Sequence, residues 1–331
     1  MYKKIFVPVD NSKYSRYCTD AGISLAVQFG SELVGSHVYS ANLHDRRFRD
    51  METGLPGHYR EEERLRKSRK VHDSLIGDGL RLISDAYLES FKKACLEAQI
   101  PFSCKLMEGK NWLELVREVR SSAYDLVIMG ILGLGAVNGN FIGGVCERVV
   151  RKIPTDVLVL KNATPLGGRV VVAVDGSDEA FSALRKALIL CTRFNAEIEA
   201  VAVYDPHFHR RAFQALVGVL SEEAGKMFKF REQEQLHDEI IDDGLGKIYQ
   251  GYLARAAEIG LEEGIQVKRA LLAGKASAAI SKYLEEDPPS LLVMSRFGAH
   301  RTGEDDIGNT AENLLRFAPC NVLITGSIQA E

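Results

Sequence analysis

The sequence predicts an α/β protein made of two tandem, doubly wound parallel sheets of five strands each. Two observations predict it. Short runs rich in Val, Ile and Leu alternate with stretches of helical apolar spacing, the pattern of strands covered on both faces by crossover helices. The chain also repeats itself. Shifted by 165 residues it aligns with itself without a gap, Val7-Pro8-Val9-Asp10 falling on Val172-Ala173-Val174-Asp175 and Arg151-x-x-Pro154-x-x-Val157-Leu158 on Arg316-x-x-Pro319-x-x-Val322-Leu323. Each copy is thus the size of a domain and not of a solenoid repeat.

The elements follow in order. Lys4–Asp10 and Arg169–Asp175 read as first strands, and Ser12–Phe29 and Ser177–Phe194 as helices opened by a Ser or Asp cap. Leu33–Tyr39 and Ile198–Tyr204 are second strands. Long charged segments follow, 45–98 and 210–263, both predicted helical. Within the first, 60–70 (REEERLRKSRK) is too polar for a core and predicts a solvated or pairing face. Phe102–Met107 and Val267–Leu272 are third strands, Trp112–Ser121 and Ser277–Leu284 helices, and Leu126–Met129 and Leu291–Met294 fourth strands. A glycine-containing loop then leads to a helix (Val145–Lys152, Thr310–Phe317) and a fifth strand (Val157–Leu160, Val322–Thr325). The domains are placed at 1–162 and 169–331, with a linker at 163–168. The fifth strands are the edges expected to pair if the halves form an intramolecular pseudo-dimer.

Composition narrows the function. The chain has 331 residues, 46% apolar and 26% charged, with a net charge of −3. That excludes disordered and fibrous classes and leaves no global field to draw nucleic acid. Residues 1–165 are net +4 and the rest net −7, a split that would help the halves dock. Six cysteines without a CxxC pair read as reduced thiols of a cytoplasmic protein. The start, MYKKIFVPVD, lacks the apolar run of a signal peptide. Residues 126–146 carry no charge and are long enough to span a bilayer. Their counterpart in the second copy, 291–311, contains two arginines, a glutamate and two aspartates, so a membrane span is not expected.

Ligands of doubly wound sheets bind beyond the carboxyl ends of the strands, at the switch point. Two features of each copy fall there. One is the aspartate closing the first strand, Asp10 or Asp175. The other is the loop after the fourth strand, Gly130-x2-Gly133-x9-Gly143-Gly144 in the first copy and Ser295-x2-Gly298-x9-Gly308-Asn309 in the second. Its last pair opens a helix, where backbone N–H groups can cradle phosphate.

With these residues in view, the chain resembles the universal stress protein family in its tandem-domain form, over nearly its whole length and twice. The loop spacing matches the G-x2-G-x9-G-[ST] of the family's nucleotide-binding members. VVVAVDGSDEA matches the family's opening, and GGVCERVVRKIPTDVLVL and GNTAENLLRFAPCNVLIT its closing helix and strand. The resemblance implies an adenine-nucleotide-hydrolase-like fold and a stress-response regulator binding ATP or AMP, with Mg2+ alongside the phosphates. It places an adenine pocket near Asp10, Val38 and Met129, with phosphates on the loop of Gly130, Gly133, Gly143 and Gly144. The second set is Asp175, Val203, Met294, Gly298, Gly308 and Asn309.

Departures from that pattern are specific. Gly144 and Asn309 stand where the family has a Ser or Thr hydroxyl, and Ser295 replaces a glycine. Residues 131–146 contain no basic side chain, which predicts that phosphate in the first copy rests on backbone dipoles alone. The second copy offers Arg296, His300 and Arg301, but also Asp305 and Asp306.

A repeated turn lies outside these motifs. His72-Asp73-x-x-Ile76 recurs as His237-Asp238-x-x-Ile241, and His44-x-Arg46-x-Phe48 as His209-x-Arg211-x-Phe213. No metal site is expected. These histidines and aspartates are its nearest candidates, against a plainer reading as helix packing with the imidazole bonded to a backbone carbonyl. GxxxxGK[ST], GxSxG and HExxH are all missing. Nucleotide binding without fast turnover is therefore expected, slow ATP hydrolysis at most. The alternative is a nucleotide-free scaffold or interaction protein whose long helical segments bind a partner protein; beyond the intramolecular pseudo-dimer, a further homodimer is the other association considered.

Overall fold

A computed structural model describes residues 1–52, 54, 61–136, 139, 141–206, 242–299 and 307–326; within these, the side chains at 42, 43, 45, 73, 242 and 243 are left undescribed. Contacts divide the chain into two units, Met1–Ala163 and Thr164–Glu331. Of the expected linker, residues 164–168 fall in the second unit: Leu166 is buried, its carbonyl accepts from the Ser290 hydroxyl, and the Thr164 carbonyl accepts from Asn321.

The first unit runs β1 (Lys4–Pro8), α1 (Lys13–Phe29), β2 (Glu32–Tyr39), α2 (Ala41–Glu52), α3 (Glu62–Glu97), β3 (Phe102–Glu108), α4 (Asn111–Ser121), β4 (Leu126–Gly130), α5 (Gly144–Lys152) and β5 (Asp156–Leu160). The second runs β6 (Arg169–Ala173), α6 (Asp178–Phe194), β7 (Glu197–Tyr204), α7 (Asp242–Glu262), β8 (Lys268–Ala273), α8 (Ala276–Glu286), β9 (Leu291–Ser295), α9 (Asn309–Phe317) and β10 (Asn321–Thr325). Strand order is β3-β2-β1-β4-β5 in one unit and β8-β7-β6-β9-β10 in the other. Every pairing within each set is parallel.

Local chemistry explains the elements. The strands are apolar because helices cover both faces; β5 and β10 are buried at all five positions. α1 and α6 start where the Ser12 and Ser177 hydroxyls accept from the Ser15 and Ala180 N–H groups. Both end on a left-handed residue, Gly30 or Asn195. The repeated glycine that ends the third strand of each unit, Gly109 or Gly274, has φ +147° or +125°, a conformation other side chains resist.

Core packing differs between the copies. A Cβ on Gly35 would lie 2.5 Å from the Phe91 ring. The 165-residue shift puts alanines, Ala200 and Ala256, at these two positions, and both are buried. Both positions are small in the second copy, so the close glycine–ring contact of the first copy has no counterpart there.

The long charged segment of the first copy is two helices, α2 and α3. Its polar part pairs: Arg69 donates to both oxygens of Glu52, at 2.7 and 2.6 Å, clamping α3 onto α2. Farther along α3, Val71, Leu75 and Leu82 share one exposed face. In the second copy α7 is described, whereas 207–241 lies outside the described residues. Among the described residues no helix is long and apolar enough to cross a membrane.

Candidate functional site

In each unit the strand order reverses between the first and fourth strands, β1/β4 and β6/β9. A crevice opens there beyond the strand ends. The first unit holds a cavity of about 690 Å³, within the range of small-molecule sites. Asp10, Val38, Met129, Gly130, Gly133, Gly143 and Gly144 all line it. The second unit has a cavity of about 330 Å³ among its described residues, lined by Asp175, Val203, Met294, Gly298, Gly308 and Asn309. Each expected set is thus brought to one place by its own sheet.

Asp10 ties the strand end to the loop. Its Oδ1 accepts from the Ser12 N–H at 2.9 Å and its Oδ2 from the Leu134 N–H at 3.1 Å. Asp175 repeats the device with Ser177 and with the Ala299 N–H at 2.8 Å. A Cβ on Gly133 would stand 2.8 Å from Asp10 Oδ2, and one on Gly298 closer still to Asp175. The second glycine of the motif is therefore required by the aspartate latch, independently of any ligand.

The loop then turns into a helix with an open end. The Gly143 N–H donates to the Ile131 carbonyl at 2.7 Å, and the Gly308 N–H to that of Arg296 at 2.9 Å. Neither α5 nor α9 has a side-chain cap. The N–H groups of Gly144, Val145 and Cys146 have no intrahelical acceptor, and these three residues line the cavity. Such an end attracts anions.

The expectation that backbone dipoles alone meet phosphate in the first unit is corrected. Arg148, one turn into α5, lines the same cavity, and its Nη1 lies 3.6 Å from where a Gly144 Cβ would be. Helical side chains lean toward the N-terminus, so a residue four positions after Gly144 returns to the loop. The sequence held that signal in its i+4 spacing. In the second unit Arg296 also differs from expectation: it lines the cavity but is 3% exposed and already engaged by the protein. His300, Arg301, Asp305 and Asp306 lie outside the described residues.

Three further lining residues were not expected. His37 donates from Nδ1 to the Val9 carbonyl at 2.7 Å and stands edge-on to Tyr87, ring centroids 5.1 Å apart. Tyr87 aligns with Tyr252 under the 165-residue shift, an identity that could have flagged it. Ser36 is fully buried, and its hydroxyl has no hydrogen-bond partner among the described residues.

The repeated His-Asp turn resolves in part. His44 lines the cavity. His72 instead stacks on Phe48, with Nε2 buried and unbonded among the described residues, so the expected carbonyl bond is not seen at that nitrogen. The Asp73 side chain and all of His209, His237 and Asp238 lie outside the described residues. Among the described residues no three His, Cys, Asp or Glu side chains cluster as metal ligands. Both Asp10 oxygens accept backbone N–H groups.

The family model described as the universal stress protein family matches residues 1–161 and again 168–326. This chain belongs to the universal stress protein family. It does so in tandem form, two copies of the domain in one polypeptide. Universal stress protein MJ0531 of Methanocaldococcus jannaschii is 26% identical over 168 residues, 50% of this chain and 86% of that protein. A putative universal stress protein of Staphylococcus epidermidis is 28% identical over 162 residues, 48% and 84% of the respective chains. Each of these relatives therefore corresponds to one domain of this tandem universal stress protein. At full length, the crystal structure of a universal stress protein from Archaeoglobus fulgidus superposes with a TM-score of 0.61 at 18% identity, covering 98% of both chains. That likeness extends the fold across both units.

Proposed function

We propose that this universal stress protein is a stress-response regulator that binds an adenine nucleotide, ATP or AMP, in its first unit, without fast turnover. The observation that carries the reading is the cavity at the β1/β4 switch point. One side is apolar, Val38 and Met129, and suits a base; the other is the uncapped start of α5 behind a glycine loop, and suits phosphate. Mg2+ would come with the nucleotide, held chiefly by phosphate oxygens. No general base is placed by any motif, so hydrolysis is expected to be slow. The duplication itself suggests halves that pair as a family dimer does.

Nucleotide content of freshly purified protein, followed by calorimetric titration with ATP and AMP, tests the reading. Bound or titratable adenine nucleotide near one equivalent per chain is expected. A protein free of nucleotide that takes up neither would leave the scaffold reading, which the exposed stripe Val71, Leu75 and Leu82 on α3 favours.

A further inference from the structure

Beside the cavity of the first unit sits the chain's single tryptophan, Trp112, at the start of α4. Two cations lie against its ring: Lys110 Nζ at 5.6 Å and Arg148 Cζ at 5.9 Å from the centroid. Neither makes an ion pair among the described residues, although most other arginines near the loop and α5 do or are otherwise engaged. Arg148 and Asn111 line the cavity, next to the open end of α5. Two cations on one ring, one of them lining the cavity and neither ion-paired among the described residues, suit an anionic ligand.

The cavity has a second mark of a ligand: the buried Ser36 hydroxyl, which no described residue satisfies. The second unit lacks these features. Under the 165-residue shift Arg148 becomes Asn313, Trp112 becomes Ser277, and Ser36-His37 becomes Val201-Ala202; Lys110 alone persists, as Lys275.

Building on the nucleotide reading, we infer that Arg148, braced on Trp112 and assisted by Lys110, makes the first unit selective for nucleotides with a linear polyphosphate chain over monophosphates and the nucleoside. A planar guanidinium that no carboxylate among the described residues neutralises gains most from the ligand with the most charge. The stacked ring keeps the long side chain from paying its full ordering entropy on binding. The nucleotide reading assigns the base to Val38 and Met129 and the phosphates to the start of α5 and Arg148, so adenosine binding is expected not to depend on Arg148.

The test is titration of the full-length chain with adenosine, AMP, ATP and inorganic tripolyphosphate, read by calorimetry and by Trp112 fluorescence. ATP is expected to bind more tightly than AMP, and ATP and tripolyphosphate, but not adenosine, to change the emission. Arg148→Gln should weaken ATP at least about tenfold, the worth of one hydrogen bond to a charged group, and leave adenosine within about twofold. Arg148→Lys should recover part of the loss. Arg148 is exposed, so folding is not at stake. An ATP-to-adenosine ratio unchanged in Arg148→Gln, with nucleotide still bound, overturns this inference and spares the nucleotide reading. No binding of any nucleotide by the wild-type chain overturns both.

Discussion

The His72 ring stacks on the Phe48 ring, centroids 4.1 Å apart and planes 19° from parallel. The contact joins the two short motifs that the copies share outside the nucleotide loop, His44-x-Arg46-x-Phe48 and His72-Asp73. It gives their joint presence a packing reason, since the stack fixes how α3 lies against α2. An aromatic pair of this kind is worth about 1 kcal/mol beyond its area. Phe48→Leu and His72→Leu should each lower the urea midpoint, and the double variant should cost less than the sum of the two. Strict additivity would show the stack to be inconsequential. Metal above about 0.1 equivalent per chain after purification without chelator, lost in His72→Leu, would restore the metal reading.

Gly143 leaves little room. A Cβ there would stand 3.2 Å from the Ile131 carbonyl, whose oxygen already accepts the Gly143 N–H. Gly143→Val should open that turn and abolish ATP binding in the first unit while the fold persists. Gly308→Val is less crowded, its Cβ 3.4 Å from the Arg296 carbonyl, and should matter less. Calorimetric titrations of ATP left unchanged in both variants would reject both sites.

The Asp10 latch predicts a loop phenotype. Asn at position 10 can still accept from Ser12, but its NH2 group would face the Leu134 N–H, donor against donor. Asp10→Asn should therefore free the loop between β4 and α5 without unfolding the sheet. Faster protease cleavage between residues 131 and 143, with an unchanged far-ultraviolet spectrum, is the expected result. Cleavage no faster than in the wild type would mean that the turn at Gly143 suffices to hold the loop.

Buried thiols set an alkaline limit. Burial pushes Cys146 up to about 12 and raises Cys18 well above its ordinary value. In the unfolded chain these thiols ionise near 8.5. Above that pH the unfolded state holds fewer protons than the folded one, so stability falls as pH rises, by about 1.4 kcal/mol per pH unit for each such thiol. Below it they contribute no pH dependence. Urea midpoints at pH 7, 9 and 10 should be level to pH 8 and then decline, and Cys146→Ala should flatten part of the slope. Native protein should also resist iodoacetamide at these two positions at pH 8.

The fold class, the duplication and nearly every element, to within a residue or two, were legible in the order of residues alone. Those features rest on local periodicity and on two copies that report each other's insides and outsides. That order also marked both loops and both aspartates, because a strand end, a glycine spacing and a helix start are all read along the chain. What it could not determine was which side chains return to that place from elsewhere. Arg148 reaches the loop because a helix leans its side chains backward; Ser36, His37 and Tyr87 reach the cavity because β2 and α3 are brought beside β1 by sheet order. Arg296 looked available in sequence and is buried, since the turn after β9 carries it inward. Likewise the latch role of Asp10 depends on a hydrogen bond between residues 124 positions apart. Such contacts follow from packing between residues far apart in the chain, which periodicity does not encode.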